Sequence, residues 1–179
     1  MNFGHIKKVE LHTHLDCSLS YELVKKILPE TNLEVFKEKF TGHGCKNLND
    51  YLKCIDRSLD LMQNEEQLNL VVVDFFDQLK RDNVIYVEIR FAPLLHLKEG
   101  LDPLQVIEII LKKCKSESQK SNIKFGLILC TLRHFSEYES LETVKLIKEL
   151  ADEMIVGFDI AADEAGYSLD KHIKAFEFA

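Results

Sequence analysis

The apolar run at residues 125–132 (FGLILCTL) constrains the fold more than any other stretch of the 179-residue chain. Such a run is typical of a strand buried on both faces, as in parallel sheets that helices cover on either side. Two more strands are predicted at 84–91, which is rich in β-branched and aromatic residues, and at 154–161. A further strand is predicted near the amino terminus, at 9–16.

Helical patterns separate the predicted strands, with apolar residues recurring every three or four positions. The ends of these helices are marked by Pro29, Asn47, Asn64 with Gln67, Asp102 with Gln105, Ser136 with Glu139, and Ser168. Strands alternating with helices indicate parallel βαβ units with right-handed crossovers. Because no glycine-rich dinucleotide or phosphate loop follows any strand, the pattern predicts an α/β protein with the first four strands of a (β/α)8 TIM barrel.

The strand at 9–16 (VELHTHLD) carries polar groups where a buried strand would have apolar ones. Alternation predicts that Glu10, His12, His14 and Asp16 share one face. Two histidines at this spacing are about 7 Å apart along the backbone, so their rings can converge on one divalent ion. A pair of hydrogen-bonded structural histidines is the alternative interpretation.

Other polar residues follow the remaining strands. Arg90 lies near the end of the second strand, Arg133 and His134 follow the third, and residues 159–164 include acids after the fourth. In a barrel of this type, chemistry gathers at the carboxyl ends of the strands. For Glu88 and Arg90, which share a strand face, a structural ion pair and a ligand contact both stay open.

Composition narrows the classes of function. The formal charge of −7, without clustered Lys and Arg, argues against a nucleic-acid surface and favours a small ligand. Five cysteines without a Cys-x-x-Cys pair indicate a reducing compartment. Residues 1–8 lack the apolar run of a signal peptide, and no apolar stretch approaches the roughly eighteen residues of a membrane span. A cytoplasmic protein without membrane contact is therefore expected.

Four blocks, at 9–16, 86–93, 127–134 and 156–164, together resemble adenosine deaminases in order and spacing. The resemblance implies a zinc-dependent barrel enzyme of the amidohydrolase type. Such an enzyme hydrolyses adenosine and deoxyadenosine to inosine and ammonia in purine salvage. The same resemblance implies that residues 1–179 form the N-terminal half of the barrel, truncated in the helix after strand four.

The resemblance also implies roles for individual residues. His12 and His14 would bind Zn²⁺, with His14 also near the nucleoside, Asp16 would bind the ribose, and Ala162 would offer its backbone N–H to the purine. The helix that lines the pocket would contribute Leu48, Tyr51, Leu52 and Ile55. Cys17 and Ala162 both stand where the family usually has glycine.

The family's third zinc histidine, in a His-Ala-Gly-Glu motif, its further catalytic histidine and its paired aspartates belong to the second half of the barrel. The chain contains no such motif, nor the His-x-Glu and Pro-Cys-x-x-Cys motifs of the other zinc deaminases, so no catalytic residue is assigned and the chain alone is expected to be inactive. Two alternatives stay open: an adenine-type purine deaminase, and a non-catalytic half-barrel that binds metal, nucleoside or a partner chain. Open barrel edges would also permit self-association.

Overall fold

A computed structural model describes residues 4–179, without the side chain of residue 49. Its centre is a four-stranded parallel sheet in the order β1-β2-β3-β4. The strands are β1 Lys8–His14, β2 Val84–Phe91, β3 Lys124–Leu132 and β4 Ile155–Ala161. The prediction of an α/β protein with four parallel strands in barrel order is confirmed.

Seven α-helices and three short 3-10 helices occur in residues 4–179. The α-helices are α1 Tyr21–Ile27, α2 Leu33–Phe40, α3 Leu48–Leu59, α4 Glu65–Arg81, α5 Pro103–Ser121, α6 Glu137–Leu150 and α7 Ile173–Phe178. The 3-10 helices are Leu15–Cys17, Pro93–Leu95 and Asp170–His172. Of the three capping boxes predicted from the sequence, those at Asp102 and Ser136 are present and begin α5 and α6. The box predicted at Asn64 is wrong in its second half: Asn64 Oδ1 accepts from Gln67 N, but Gln67 Oε1 accepts from Gln63 N at 2.7 Å.

The predicted strand at 9–16 is wrong at its last two residues. The strand ends at His14, and Asp16 lies in the 3-10 helix that follows. A register shift between Glu10 and Thr13 places Glu10 beside Val87 and His14 beside Arg90. Because Val87 and Arg90 point to opposite faces of β2, Glu10 does not share the face of His14.

Two helical segments also differ from the prediction: the start of one and the presence of another. Ser168 does not cap an α-helix: its hydroxyl accepts from Asp170 N at 3.2 Å, and the helical segment begins with the 3-10 turn at Asp170. The helix α2, capped by the side chain of Asn32, has no counterpart among the predicted helices. Short helices carry too few periodic residues for the apolar pattern to identify them.

The main hydrophobic core lies between the outer face of the two central strands and the helices α4 and α5. Neighbouring outward residues of β2 and β3 are in register, so they form continuous apolar rows. The strand residues of this core are Val87, Ile89, Phe91, Phe125, Leu127 and Leu129, all nearly or wholly buried. Burial of such side chains supplies the largest favourable term in folding.

The inner face of the sheet carries polar groups that connect its strands. Arg90 donates from Nε to Asp159 Oδ2 at 2.9 Å and from Nη1 to the Leu11 carbonyl at 2.6 Å, so one side chain on β2 joins both edge strands. Glu88 instead accepts from the Tyr86 hydroxyl at 3.2 Å. Arg90 therefore forms a structural ion pair with β4.

Over residues 4–179, no helix is long and apolar enough to cross a membrane.

Candidate active site

A cavity of about 770 Å³ opens at the carboxyl ends of the strands. This is the end of a parallel sheet where barrel proteins carry their functional residues. Every site residue predicted from the sequence lines the cavity, namely His12, His14, Asp16, Leu48, Tyr51, Leu52, Ile55 and Ala162. The fold therefore brings together residues from β1, the turn after it, α3 and the loop after β4.

His12 and His14 face each other at the end of β1, with ring centroids 5.5 Å apart. His12 is exposed and its backbone N–H donates to Glu10 Oε1 at 3.0 Å, whereas His14 is half-buried. Burial is the main cause that lowers the pKa of His14, with His12 and Arg90 adding to it and Asp16 and Asp159 opposing it. The neutral imidazole, which is the form that binds a metal, is thereby favoured.

The two histidines are not joined by a third ligand from the same part of the chain. Among the described residues, no three His, Cys, Asp or Glu side chains come close enough together to hold a metal ion. A catalytic zinc site needs three protein ligands. His12 and His14 alone therefore fall one ligand short of such a site.

Asp16 is only 5% exposed, and its carboxylate is held from behind the cavity. Oδ2 accepts from the backbone N–H of Ala92 at 3.2 Å, and Oδ1 contacts His96 Nε2 at 3.2 Å. Each carboxylate oxygen has a second lone pair, so Asp16 can still accept a hydroxyl hydrogen from the cavity. The pattern of the sequence does not indicate His96, because a single histidine after a turn carries no periodic signal.

Cys17 and Tyr51 meet where the turn after β1 contacts the pocket helix α3. Burial chiefly raises the pKa of Cys17 to about 12 and that of Tyr51 to about 12, so thiol and hydroxyl are both neutral. Cys17 does not adopt positive φ, so the glycine usual in this family is not required by the backbone here.

Ala162, unlike Cys17, adopts a backbone conformation that favours glycine, since its φ is +85°. The loop that it begins is attached to β3 by Arg133, which donates to the Tyr167 carbonyl at 3.2 Å and to Glu164 Oε1 at 2.9 Å. His134, which the sequence places at a strand end without assigning it a role, lines the cavity beside Tyr167.

Several solved structures share this fold. An amidohydrolase from Burkholderia ambifaria with bound Zn has a TM-score of 0.80 and 19% identity, and the match covers 99% of this chain and 50% of the amidohydrolase chain. Adenine deaminase from Arthrobacter aurescens has a TM-score of 0.80 and 19% identity, covering 94% and 53%. Arabidopsis ADAL complexed with IMP has a TM-score of 0.81 and 20% identity, covering 98% and 55%. The fold is thus a partial TIM barrel, shared with these three structures.

Sequence comparison gives the family. The model of the family described as adenosine deaminase matches residues 7–179. The adenosine deaminase of Clostridium kluyveri is 34% identical over 182 residues, covering 97% of this chain and 52% of that protein, and that of Lactococcus lactis is 32% identical over 177 residues, covering 95% and 50%. The chain belongs to the adenosine deaminase family, and it spans about half the length of these relatives.

Proposed function

We propose that this chain supplies strands one to four of a zinc-dependent enzyme that hydrolyses adenosine and deoxyadenosine to inosine and ammonia. The observation that carries the proposal is the convergence of His12, His14, Asp16 and Ala162 on one cavity at the carboxyl ends of the strands. Membership of the adenosine deaminase family supports the same reaction class.

The two histidines fit a shared Zn²⁺. An ion about 2.1 Å from one nitrogen of each ring, at a roughly tetrahedral angle, places the ring centroids about 5 Å apart, and the separation here is 5.5 Å. Burial keeps His14 in the neutral form that coordination requires. When bound, zinc supplies a nucleophile at neutral pH by lowering the pKa of water. A third ligand and an acid/base group must come from outside these residues.

The remaining cavity residues would bind and orient the nucleoside. Asp16 offers carboxylate lone pairs to a ribose hydroxyl, and the backbone of Ala162 offers an N–H to the purine. The apolar side chains of Leu48, Leu52 and Ile55 would cover the base and exclude water from it. These roles need only binding and orientation, which a half-barrel can provide.

A free purine base is the main alternative substrate, since adenine deaminase from Arthrobacter aurescens shares the fold. Asp16 favours a nucleoside, because a buried carboxylate with free lone pairs at the cavity wall has no hydroxyl partner on adenine. A non-catalytic half-barrel that binds metal, nucleoside or a partner chain is the second alternative. The intact protein is defined here as these residues together with the second half of the barrel. Its deamination of nucleoside and of free base, measured side by side, separates the two substrates.

Zinc titration of the 179-residue chain tests the metal half of the proposal. We expect weak binding that His12→Ala and His14→Ala each abolish, because two ligands hold zinc less firmly than three. His43→Ala is the matched control, since His43 is an exposed histidine in the loop between α2 and α3. Binding unchanged by His12→Ala or His14→Ala would refute the shared site.

Deamination by the same purified chain tests the catalytic half. We expect no turnover of adenosine, because the acid/base group and the third ligand are not in the sequence. The intact protein should deaminate adenosine and lose this activity on His12→Ala. Turnover by the 179-residue chain that survives repurification and vanishes in His12→Ala would show that the half-barrel suffices.

A further inference from the structure

The carboxylate of Asp16 is held by two groups from the turn that follows β2. Ala92 N–H binds Oδ2 and His96 Nε2 contacts Oδ1, each at 3.2 Å. Asp16 follows β1, so these contacts connect neighbouring strands across 76 and 80 positions of sequence. The carboxylate cannot rotate about its χ2 bond without losing both partners.

His96 is itself fixed on its other side. It is wholly buried, and Nδ1 donates to the Met62 carbonyl at 2.9 Å. A carbonyl only accepts, so Nδ1 carries a proton; an ionised carboxylate likewise only accepts, so the contact with Asp16 requires a proton on Nε2 as well. Gln63, next to Met62, further anchors the turn by donating to the Leu95 carbonyl at 2.9 Å and accepting from Lys98 N at 2.9 Å. The ring therefore has one orientation.

His96 does not line the cavity, whereas Asp16 does. We propose that His96 is a positioning residue that holds the Asp16 carboxylate toward the cavity, and that it thereby makes the site select a nucleoside over a free base. This inference rests on the proposed function, because it takes a sugar hydroxyl as the group that Asp16 accepts from. Without His96 the carboxylate could turn away and the selection would fall.

Two substitutions at position 96 separate the two contacts of the ring. In His96→Asn the side-chain amide can replace Nδ1 and bind the Met62 carbonyl, but it does not reach Asp16. In His96→Gln the longer side chain can place its N–H₂ where Nε2 lies and donate to Asp16. A positioning role predicts that Gln restores what Asn loses.

His172 provides the matched control. It is a second wholly buried histidine, and both of its ring nitrogens are bonded: Nδ1 to Ser140 Oγ at 2.7 Å and Nε2 to the Arg133 carbonyl at 3.2 Å. It does not line the cavity. His172→Asn therefore reports what the loss of any buried histidine does to the fold.

The first measurement is the affinity of the intact protein for adenosine and for adenine, by calorimetry. Residues that orient metal ligands typically contribute about 10- to 100-fold, and we expect an effect of the same order here. His96→Asn should weaken the affinity for adenosine by about 10-fold and leave the affinity for adenine unchanged. His96→Gln should recover most of the loss, and His172→Asn should leave the adenosine-to-adenine ratio as it was. In an Asp16→Asn background, His96→Asn should cost nothing further. An unchanged ratio in His96→Asn would overturn the inference.

The second measurement does not depend on a nucleoside. Hydrogen exchange of the Ala92 amide reports whether Asp16 keeps its place, because that amide donates to Oδ2. It should accelerate in His96→Asn and stay near the original rate in His96→Gln and His172→Asn. If the intact protein binds neither ligand, the proposed function fails, and the Ala92 amide still decides the positioning role: equal exchange in His96→Asn and His172→Asn would refute it.

Discussion

The central strand β3 and the edge strands β1 and β4 are all rich in apolar residues, but they differ in burial. Phe125, Leu127 and Leu129 on β3 are at most 4% exposed, because helices cover them. Val9 on β1 is 54% exposed and Val156 on β4 is 51% exposed. Apolar strand residues are those that a closed barrel would bury. In this sheet, the residues of the central strand β3 are buried, whereas Val9 and Val156 on the edge strands are half exposed.

The site draws on both regions. The two histidines lie on the edge strand β1 and Ala162 follows the edge strand β4, whereas Asp16 is held by the turn after the central strand β2. The best-packed side chains lie in the centre, and the residues proposed to bind metal and purine lie at the edges. In a closed barrel, β1 and β4 would each have a second neighbouring strand.

The largest effect is expected at the centre of the sheet. Leu127→Ala should lower the free energy of unfolding by about 2–5 kcal/mol, because it leaves a cavity in the packed core. Leu11→Ala on β1, where the side chain is half exposed, should change it by less than about 0.5 kcal/mol. Urea unfolding followed by circular dichroism measures both. Equal losses would mean that the edges are as well packed as the centre.

The second-largest effect on stability is expected in the 3-10 turn that follows β1. Cys17→Gly should lower the free energy of unfolding by about 1–2 kcal/mol, because glycine adds backbone freedom to the unfolded chain and removes a mostly buried thiol. Cys17→Ala, which keeps the Cβ, should cost less. Urea unfolding of the two variants gives the comparison, and a glycine variant as stable as the original chain would contradict it.

The end of β4 should respond in the opposite direction. Ala162→Gly should raise the free energy of unfolding by about 0.5–1 kcal/mol, because φ of +85° strains alanine. Ala151→Gly is the matched control: its φ is +45° at the C-cap of α6, away from the cavity. Both should be stabilised in urea unfolding, and only Ala162→Gly should change nucleoside affinity in the intact protein. A destabilised Ala162→Gly with a stabilised Ala151→Gly would mean that this φ is not strained.

The sequence predicts the centre of the fold well because local signals agree there. The range of β2 and the capping boxes of α5 and α6 follow from β-branched runs and cap residues that act over a few positions. The end of β1 could not be predicted in this way. Alternation extends the strand to Asp16, but a register shift and a 3-10 turn intervene, and Asp16 is held there by groups from the turn after β2.

The candidate site divides in the same manner. Eight residues that line the cavity are found from the resemblance, namely His12, His14, Asp16, Leu48, Tyr51, Leu52, Ile55 and Ala162, but the residues that hold them in place are not. His96 lies 80 positions from Asp16, and only the fold brings the two together. The positive φ of Ala162 is indicated only by the glycine that the family usually has at this position, because alanine by itself suggests no such conformation.

The last prediction concerns self-association of the 179-residue chain through its open sheet edges. The substitutions that test it should have the smallest effect on the free energy of unfolding. Within residues 4–179, β1 and β4 each pair with one strand only, so each leaves a row of backbone groups open to a second copy. Exposed apolar side chains beside those rows favour such pairing. We therefore expect the chain to form dimers or larger species as its concentration rises.

Lysine on an edge strand opposes pairing by charge repulsion and by the cost of burying an ammonium group. Val9→Lys combined with Val156→Lys should therefore shift the chain toward monomer in sedimentation velocity, while its free energy of unfolding changes by less than about 0.5 kcal/mol per site. Leu33→Lys, at an exposed apolar residue on α2 away from the sheet, should leave association unchanged. If the original chain is already a monomer with a cooperative thermal transition, the open edges do not pair, and this half-barrel is a domain that stands alone.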